Sequence, residues 1–384
     1  MDREELACWL RLELTPGVGN TTSRRLLSAF GMPQQVFAAS RSALEQVASV
    51  SQCAALLAEP PNLPALLETT WLWLQESPHE RRVMTLGDAS YPAALLHMED
   101  PPLLLYGMGG EAVWERGGLS HCAACGLAVV GSRNPTPQGA INARQFSHAL
   151  AQAGLTIVSG LALGVDGAAH EGALDGAPAH QLATVAVVGT GLDRVYPRQH
   201  RDLAHRIVQR GILLSEYPLG TPPLSANFPK RNRIIAGLSS GTLVIEAALQ
   251  SGSLITARLA SEQGKEVFAI PGSIHSTQAR GCHALIRQGA KLVESAQDVL
   301  EELRIPERPT RADTEHAPAL PLDPAEDSED SLLQAMGFSP VGLDALLART
   351  GLDTPSLQAR LMTLEMEGHL SRLPGGLFQR MARC

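Results

Sequence analysis

The sequence predicts an α/β fold built on a parallel sheet with helices on both faces. From about residue 83 onward short apolar runs recur, helical stretches separate most of those after residue 127, and glycine-rich turns follow several runs. Strands that alternate with helices favour a parallel sheet, and ligands bind such sheets beyond the carboxyl ends of the strands. The predicted strands are Val83–Leu86, Leu103–Tyr106, Leu127–Val130, Leu155–Val158, Thr184–Val188, Ile212–Leu214, Thr242–Ile245, Glu266–Ile270 and Lys291–Val293.

Length and composition limit the class of protein. A chain of 384 residues with 44% hydrophobic content predicts two or three domains with a substantial core. No apolar run reaches the length of a membrane span, and the charged start is not typical of a signal peptide. We therefore expect a cytoplasmic protein without a membrane partner, whose six cysteines are reduced.

Charge is distributed unevenly along the chain. The formal net charge is −8, yet residues 306–331 alone hold eight acids, two bases and five prolines. The rest is close to neutral, so local basic patches can dominate its surface potential. We predict four segments: a helical domain at 1–78, the sheet domain at 79–304, an acidic, Pro-rich linker at 305–330 and a small module at 331–384.

The two terminal segments are predicted from helical spacing and turns. Leu6, Leu10 and Leu14 recur at helical spacing, and the turn at 14–20 either resembles a helix-hairpin-helix, whose amides can hold a phosphate, or is a plain tight turn. Near the C-terminus Thr354 is a predicted N-cap, and a helix and a hairpin at 370–380 indicate a winged helix. Its predicted recognition helix has more acids than bases, so contact with a partner or with itself is at least as plausible as DNA binding.

The segment from Phe228 to Ser239 carries the strongest functional signal. Lys230, Arg231 and Arg233 fall within four positions, with Phe228 ahead of them. Cations that pair with phosphates, next to a ring that stacks on a base, are what a single-stranded nucleic acid requires.

A glycine turn after a predicted strand adds a second candidate phosphate site. Ser132 and Arg133 follow Gly131 and precede a helix, where backbone amides favour an anion. The spacing is not that of the dinucleotide fingerprint. The alternative is a structural turn with a surface arginine.

Other motifs favour structural interpretations. Asp166 is placed to cap a helix, and His170 one turn later is expected to be packed because no nucleophile accompanies it. Cys122 and Cys125 form a lone C-x-x-C without the second pair that zinc requires, so we predict no metal and no cofactor.

Several motifs together resemble the DNA-processing protein A (DprA, also called Smf) family. They are GSR at 131–133, SGLALGVD at 159–166, GTGLDRVYP at 189–197, SEYP at 215–218, FPKRNRIIAGLS at 228–239, SGSLITA at 251–257 and FAIPGS at 268–273. They follow the family's order over about residues 83–295. One departure is His283, where the family pattern has asparagine.

The resemblance implies a Rossmann-like core that binds single-stranded DNA, dimerises and loads the RecA recombinase during natural transformation. It also implies an N-terminal helical domain of the SAM or helix-hairpin-helix type and a C-terminal winged helix, and no catalytic role. Carried onto matching positions, it gives a set of expected DNA contacts. They are Ser132, Arg133, Gly160, Lys230, Arg231, Asn232 and Arg233 for phosphate, and Phe228 for a base.

Two other functions stay open at this point. Gly241, Thr242 and Glu246 match part of a pattern in nucleotide-hydrolysing relatives of the fold, although Ser239-Ser240 replaces the doubled glycine. That pattern suggests a nucleotide N-glycosidase or phosphohydrolase. The acidic linker and terminal module suggest an adaptor, which is compatible with DNA binding.

Overall fold

The computed structural model describes residues 1–304, 331–338 and 340–381. The predicted linker at 305–330 lies outside the described residues, so the four segment boundaries stay a prediction. In the described part of the chain, no helix combines the length and apolar character needed to cross a bilayer.

Helices make up the first part of the chain, as predicted. They are α1 (Arg3–Leu14), α2 (Asn20–Phe30), α3 (Pro33–Ala38), α4 (Arg41–Leu44), α5 (Val50–Leu57) and α6 (Leu63–Glu76). The Asp2 side chain caps α1 by accepting a hydrogen bond from the Glu5 amide at 2.8 Å. Leu6 and Leu10 are fully buried, and they join a core that continues into the central sheet.

A nine-stranded sheet forms the centre, in the order β1-β2-β6-β5-β4-β3-β7-β8-β9. Its strands are β1 (Arg81–Thr85), β2 (Leu104–Gly109), β3 (Gly126–Val130), β4 (Thr156–Ser159), β5 (Thr184–Val187), β6 (Ile212–Ser215), β7 (Gly241–Val244), β8 (Glu266–Ala269) and β9 (Lys291–Leu292). Each overlaps a strand predicted from the sequence, so the α/β fold class is confirmed.

Strand direction differs from the prediction at one edge. From β6 to β9 along the sheet the strands are parallel, whereas β2 pairs antiparallel with both β1 and β6. A parallel pair requires a crossover, usually a helix on a sheet face. Between β1 and β2 there is only a 3-10 helix at Ala93–His97. An apolar run itself carries no direction, which explains the error.

Both faces of the sheet are covered by helices. The helices of this part are α7 (Glu111–Glu115), α8 (Cys122–Cys125), α9 (Pro137–Gln152), α10 (Val165–Gly176), α11 (Arg201–Arg210), α12 (Asn227–Leu238), α13 (Ser253–Glu262), α14 (Arg280–Arg287) and α15 (Ala296–Glu302), with further 3-10 turns at Gly118–His121 and Arg198–His200. Alternate residues of β3 belong to different cores, Leu127 and Val129 to one and Ala128 and Val130 to the other.

The C-terminal elements form a winged helix with a core of its own. They are α16 (Ser331–Met336), β10 (Val341–Gly342), α17 (Leu343–Thr350), α18 (Thr354–Met366), β11 (Leu370–Leu373) and β12 (Leu377–Arg380). The strands form an antiparallel sheet in the order β10-β12-β11. Asp353, rather than the predicted Thr354, caps α18, because its carboxylate accepts from the Ser356 amide at 3.4 Å.

Candidate nucleic-acid interface

A cleft opens at the carboxyl ends of β3, β4 and β7. The chain runs from β3 to β6 on one side of the sheet and then returns to place β7 on the other side of β3. Such a reversal separates the loops that follow the two neighbouring strands and leaves a crevice between them. The cleft has a volume of about 380 Å³, and α12 and the start of α13 form one wall.

The side chains of the basic segment on α12 line two different pockets. Phe228, Arg231, Asn232 and Ile235 line the cleft, because positions three, four and seven residues apart share one face of a helix. Lys230 lines a different pocket, of about 470 Å³, beside α1 and α2. The cations that are adjacent in sequence are therefore separated in space.

Arg231 is buried and connects the chain segments at the bottom of the cleft. Its guanidinium donates to the main-chain carbonyls of Gly160 and Val187, which follow β4 and end β5. The carboxylate of Asp166 lies 3.7 Å from the same group. Burial lowers the pKa of Arg231, and the Asp166 carboxylate opposes that shift. Arg231 therefore acts first as a positioning residue at the cleft.

Gly160 makes room for this arginine. A Cβ atom at Gly160 would lie 2.0 Å from the Arg231 guanidinium, so that group would have to leave its present position. A glycine after β4 is thus explained by the close approach of a side chain from α12.

Asn232 links α12 to the start of α13. Its Oδ1 accepts from Nε of Arg231 at 3.0 Å, and its Nδ2 donates to the Gly252 carbonyl at 3.2 Å. Ser251 and Ser253 lie beside Gly252 on the cleft wall, with their hydroxyls 2.7 Å apart. These two serines were not among the predicted site residues. The Ser-Gly-Ser sequence between a strand and a helix was the available signal.

The glycine turn after β3 presents an exposed cation to the cleft. The Ser132 amide donates to the Glu246 carbonyl at 2.7 Å, and the Ser132 hydroxyl accepts from the Asn134 amide at 3.1 Å. This turn leaves Arg133 exposed, with its guanidinium carbon 5.6 Å from the centre of the Phe228 ring. Among the described residues no ion pair neutralises Arg133, so its charge is available to an anion.

Lys230 and Arg233 lie beside the pocket that faces α1 and α2, and neither lines the cleft. Arg233 is buried and pairs with Glu216, and its Nε lies 3.2 Å from Asp100. Lys230 is half exposed, with its ammonium 3.9 Å from Glu216. Burial raises the pKa of Glu216, and the charge of Arg233 counteracts that effect. Of these two predicted contacts, Lys230 alone has substantial access to solvent.

Asp166 and His170 belong to α10 and have structural partners. Asp166 lies inside the first turn, not at the N-cap, which is Gly164. Its carboxylate accepts from the Ala162 amide at 3.2 Å and thereby folds the loop before the helix. His170 is buried with Nδ1 2.7 Å from the Thr184 hydroxyl, and burial lowers its pKa to about 3. Its imidazole is therefore neutral and packed.

Glu246 supports the start of α9. Its two carboxylate oxygens accept from the Thr136 amide at 2.8 Å and from the Thr136 hydroxyl at 2.6 Å. The same hydroxyl accepts from the Gly139 amide and thereby caps α9. Glu246 is not among the described residues that line the cleft. Elsewhere, Cys122 is buried and its pKa is raised to about 12 by desolvation. No group of three potential metal ligands occurs in the described ranges.

Comparison with known proteins assigns the chain to a family. The family model of the DNA recombination-mediator protein A matches residues 82–304, and the DprA winged helix domain matches residues 316–376. The chain belongs to this DprA/Smf family. Protein Smf of Escherichia coli is 38% identical over 83% of this chain and 82% of its own length. DNA processing protein DprA of Streptococcus pneumoniae is 46% identical over 56% of this chain and 72% of its own.

Solved structures of family members are also similar. DNA processing protein A from Streptococcus pneumoniae superposes with a TM-score of 0.63 at 35% identity, over 79% of this chain and 98% of that one. The Helicobacter pylori protein, determined to describe its single-stranded DNA binding mode, gives 0.50 at 31% identity, over 58% and 96%. The family assignment and the winged helix predicted from the sequence are thereby confirmed, and a DNA-processing role follows.

Proposed function

We propose that this chain binds single-stranded DNA in the cleft formed by β3, β4, α12 and α13. The observation that carries the proposal is the exposed, unneutralised Arg133 next to Phe228 at the mouth of that cleft. A guanidinium pairs with a phosphate, and an aromatic ring stacks on any unpaired base. The Helicobacter pylori relative, whose structure describes a single-stranded DNA binding mode, supports the proposal.

We assign different roles to the predicted site residues. Arg133 and the Ser132 turn contact a phosphate directly, and Phe228 contacts a base. The cleft wall is fixed by Gly160, Arg231 and Asn232. Their buried hydrogen bonds limit how closely they can approach the DNA. Lys230 would meet a phosphate of the same strand beyond the cleft, whereas Arg233 holds Glu216 and so positions the helix.

Family membership supports a wider role. We propose that the chain protects incoming single strands and loads the RecA recombinase on them during natural transformation, as a cytoplasmic homodimer without a cofactor or catalytic activity. Stimulation of RecA's strand-dependent ATP hydrolysis by this protein would support the loading role. Unchanged hydrolysis over a range of protein concentrations would remove it.

Binding of labelled oligonucleotides tests the DNA proposal. Fluorescence anisotropy would compare single and double strands with wild type, Arg133→Ala and the control Arg258→Ala, an exposed arginine paired with Glu262 on α13. We expect preferential single-strand binding that falls with salt. Arg133→Ala should weaken it and flatten the slope of log K against log salt by about 0.7, as expected for one lost phosphate contact. Equal affinity of wild type and Arg133→Ala would remove the proposed site.

A further inference from the structure

Lysine is rare in this chain. Of its 31 lysine and arginine side chains, three are lysines: Lys230, Lys265 and Lys291. Lys230 lies near the carboxylate of Glu216, and Lys291 pairs with Glu302. Lys265 is partly buried and has no ion pair within the described part of the chain. Its surroundings therefore differ most from those of an ordinary surface lysine.

Lys265 caps the C-terminal end of α12. Its Nζ donates to the carbonyls of Ala236 at 2.7 Å and Gly237 at 2.9 Å, in the last turn of the helix. The last carbonyls of a helix have no amide partner within it, so a donor from outside stabilises the helix end. In an α-helix the amides of these two residues bond to the carbonyls of Asn232 and Arg233, one turn earlier. Lys265 thereby supports the helix that carries the cleft residues.

The same side chain lines a pocket of about 380 Å³ between α13, β8 and α14. The other charged side chains in the described lining are Arg258, Glu262 and Glu266, and all three are exposed to solvent. Arg258 and Glu262 pair with each other at 2.7 Å. A pocket of this size admits a small molecule such as acetyl phosphate.

Burial prepares Lys265 to react as a nucleophile. Desolvation lowers its pKa to about 8, so about half of the side chain is the neutral amine at pH 8. A neutral amine has two N–H groups, which match the two carbonyl acceptors, and one lone pair. Loss of the proton therefore keeps both hydrogen bonds and leaves the lone pair available. Desolvated lysines of this kind act as nucleophiles near neutral pH.

We propose that Lys265 is acylated by activated acyl compounds, that is acyl phosphates or acyl thioesters, and that its acylation weakens single-strand binding in the cleft. The consequence for DNA rests on the proposed function. The lone pair of Nζ attacks the acyl carbon, a C–N bond forms, and the bond from that carbon to the phosphate oxygen breaks. Phosphate leaves with the electron pair, and a proton of Nζ passes to water. With a thioester the C–S bond breaks instead, and a thiolate leaves.

The product no longer matches the end of α12. An acylated Nζ is an uncharged amide with a single N–H, so it cannot donate to both Ala236 and Gly237. The last turn of α12 then loses a hydrogen bond and a favourable charge. We expect the loosened helix to position Arg231 and Asn232 less well in the cleft wall.

Acetylation of the purified protein tests the site. Wild type, Lys265→Arg and the control Lys291→Arg would be incubated with acetyl phosphate or, separately, with acetyl-CoA, and peptide mass spectrometry would give the occupancy of each lysine. We expect Lys265 to react at least about tenfold faster than Lys291 at pH 8, because the hydrogen bond to Glu302 raises the pKa of Lys291. The rate at Lys265 should level off above about pH 8, whereas the rate at Lys291 keeps rising.

The affinity of the same samples for oligo(dT) tests the consequence. Affinity should fall roughly threefold to tenfold as Lys265 becomes acetylated, in wild type and in Lys291→Arg alike. Unmodified Lys265→Gln should show a similar loss. Lys265→Arg should bind normally before and after acetylation, since arginine keeps the charge and the donors.

The outcomes separate the modification site from DNA binding. Faster reaction at Lys230 or Lys291 than at Lys265, or no reaction with either acetyl donor, would overturn the site. Full acetylation of Lys265 with unchanged affinity, or an equal loss in acetylated Lys265→Arg, would overturn its effect on binding. A folded wild type that binds no single strand before acetylation would overturn the proposed function, while mass spectrometry still decides the site. If Lys265→Gln does not fold, acetylated wild type is the deciding sample.

Discussion

Residues of α12 that are adjacent in sequence have distinct surroundings and distinct tasks. Arg231 contacts carbonyls that lie 71 and 44 positions away in the chain, whereas Arg233 pairs with the carboxylate of Glu216, directly after β6. A helix turns about 100° per residue, so neighbouring side chains diverge. The buried contacts of Arg231 with Asp166 and Gly160 explain the presence of these three residues better than direct DNA contact does.

Replacement of Gly160 by alanine should test the positioning role of Arg231. The new Cβ would overlap the guanidinium, because that group lies 2.0 Å from the position of the added atom. We expect Gly160→Ala to lower the free energy of unfolding by roughly 2–3 kcal/mol and to weaken single-strand binding. Urea denaturation of both proteins provides the measurement.

Gly87→Ala is the matched control for this change. A Cβ at Gly87 would meet its nearest atom, Sδ of Met32, at an ordinary distance of 3.6 Å. Its stability should stay within about 0.5 kcal/mol of wild type. A similar small effect in Gly160→Ala would contradict the steric role assigned to this glycine.

Four of the residues predicted from the sequence line the cleft: Arg133, Phe228, Arg231 and Asn232. Arg133 and Phe228 were identified because a cation after a glycine turn and an aromatic before a basic run have local signatures. Ser253 was missed, since its place on the cleft wall depends on which loops meet at the sheet edge. Phosphate contacts by seven of the predicted residues and a base contact by Phe228 stay a prediction.

At the scale of elements, apolar runs located all nine strands of the central sheet. Short buried runs between glycine turns are typical of strands that helices cover on both sides. The antiparallel edge was not predictable in the same way, because β2 owes its direction to its pairing with β6. The helix caps also differ from the predictions, by two residues at Gly164 and by one residue at Asp353.

Helix α9 depends on a contact between distant elements. Glu246, just after β7, accepts two hydrogen bonds from Thr136 at the start of α9. Glu246→Gln replaces one acceptor oxygen by a donor, so we expect a loss of about 1–2 kcal/mol in unfolding free energy. Single-strand affinity should change less than twofold, because Glu246 is outside the cleft lining.

Thermal and urea unfolding, together with anisotropy, would check this expectation. Glu262→Gln, an exposed carboxylate on α13, serves as the control for a surface change. The same Glu246→Gln protein would also be incubated with nucleoside monophosphates. Wild-type hydrolysis or base release that disappears in the variant would contradict a structural role for Glu246.

At the scale of the whole molecule, the N-terminal helices share a core with the sheet. The rings of Trp73 and Tyr106 lie 6.4 Å apart in an edge arrangement, and Arg81 donates to the Trp73 carbonyl at 2.9 Å. Glu13 at the end of α1 lies in this interface. Its Oε2 is shielded from solvent. Desolvation and the nearby Glu216 raise its pKa to about 8.

The raised pKa of Glu13 predicts a pH-dependent stability. The folded protein keeps the proton that the unfolded chain releases near pH 4.5, so stability falls as the pH rises from about 4.5 to 8. Glu13→Gln stays neutral and should not show this component. Relative to the variant, wild type should lose on the order of 2 kcal/mol between pH 5 and pH 8.

Urea unfolding at several pH values would measure this difference. Glu4→Gln, an exposed carboxylate on the same helix, is the control and should follow wild type. Parallel pH profiles for wild type and Glu13→Gln would show that Glu13 is ionised in the folded protein at neutral pH. The expected protonation of the Glu13 carboxyl group would then be wrong.

In the proposed function, single-stranded DNA occupies the cleft at the carboxyl ends of β3, β4 and β7. Photocrosslinking of an oligonucleotide containing 4-thiothymidine, followed by mass spectrometry of the tryptic peptides, tests it most directly. We expect adducts at Phe228 and in the turn with Arg133. Adducts confined to the winged helix at 331–381, with none in the sheet domain, would contradict it.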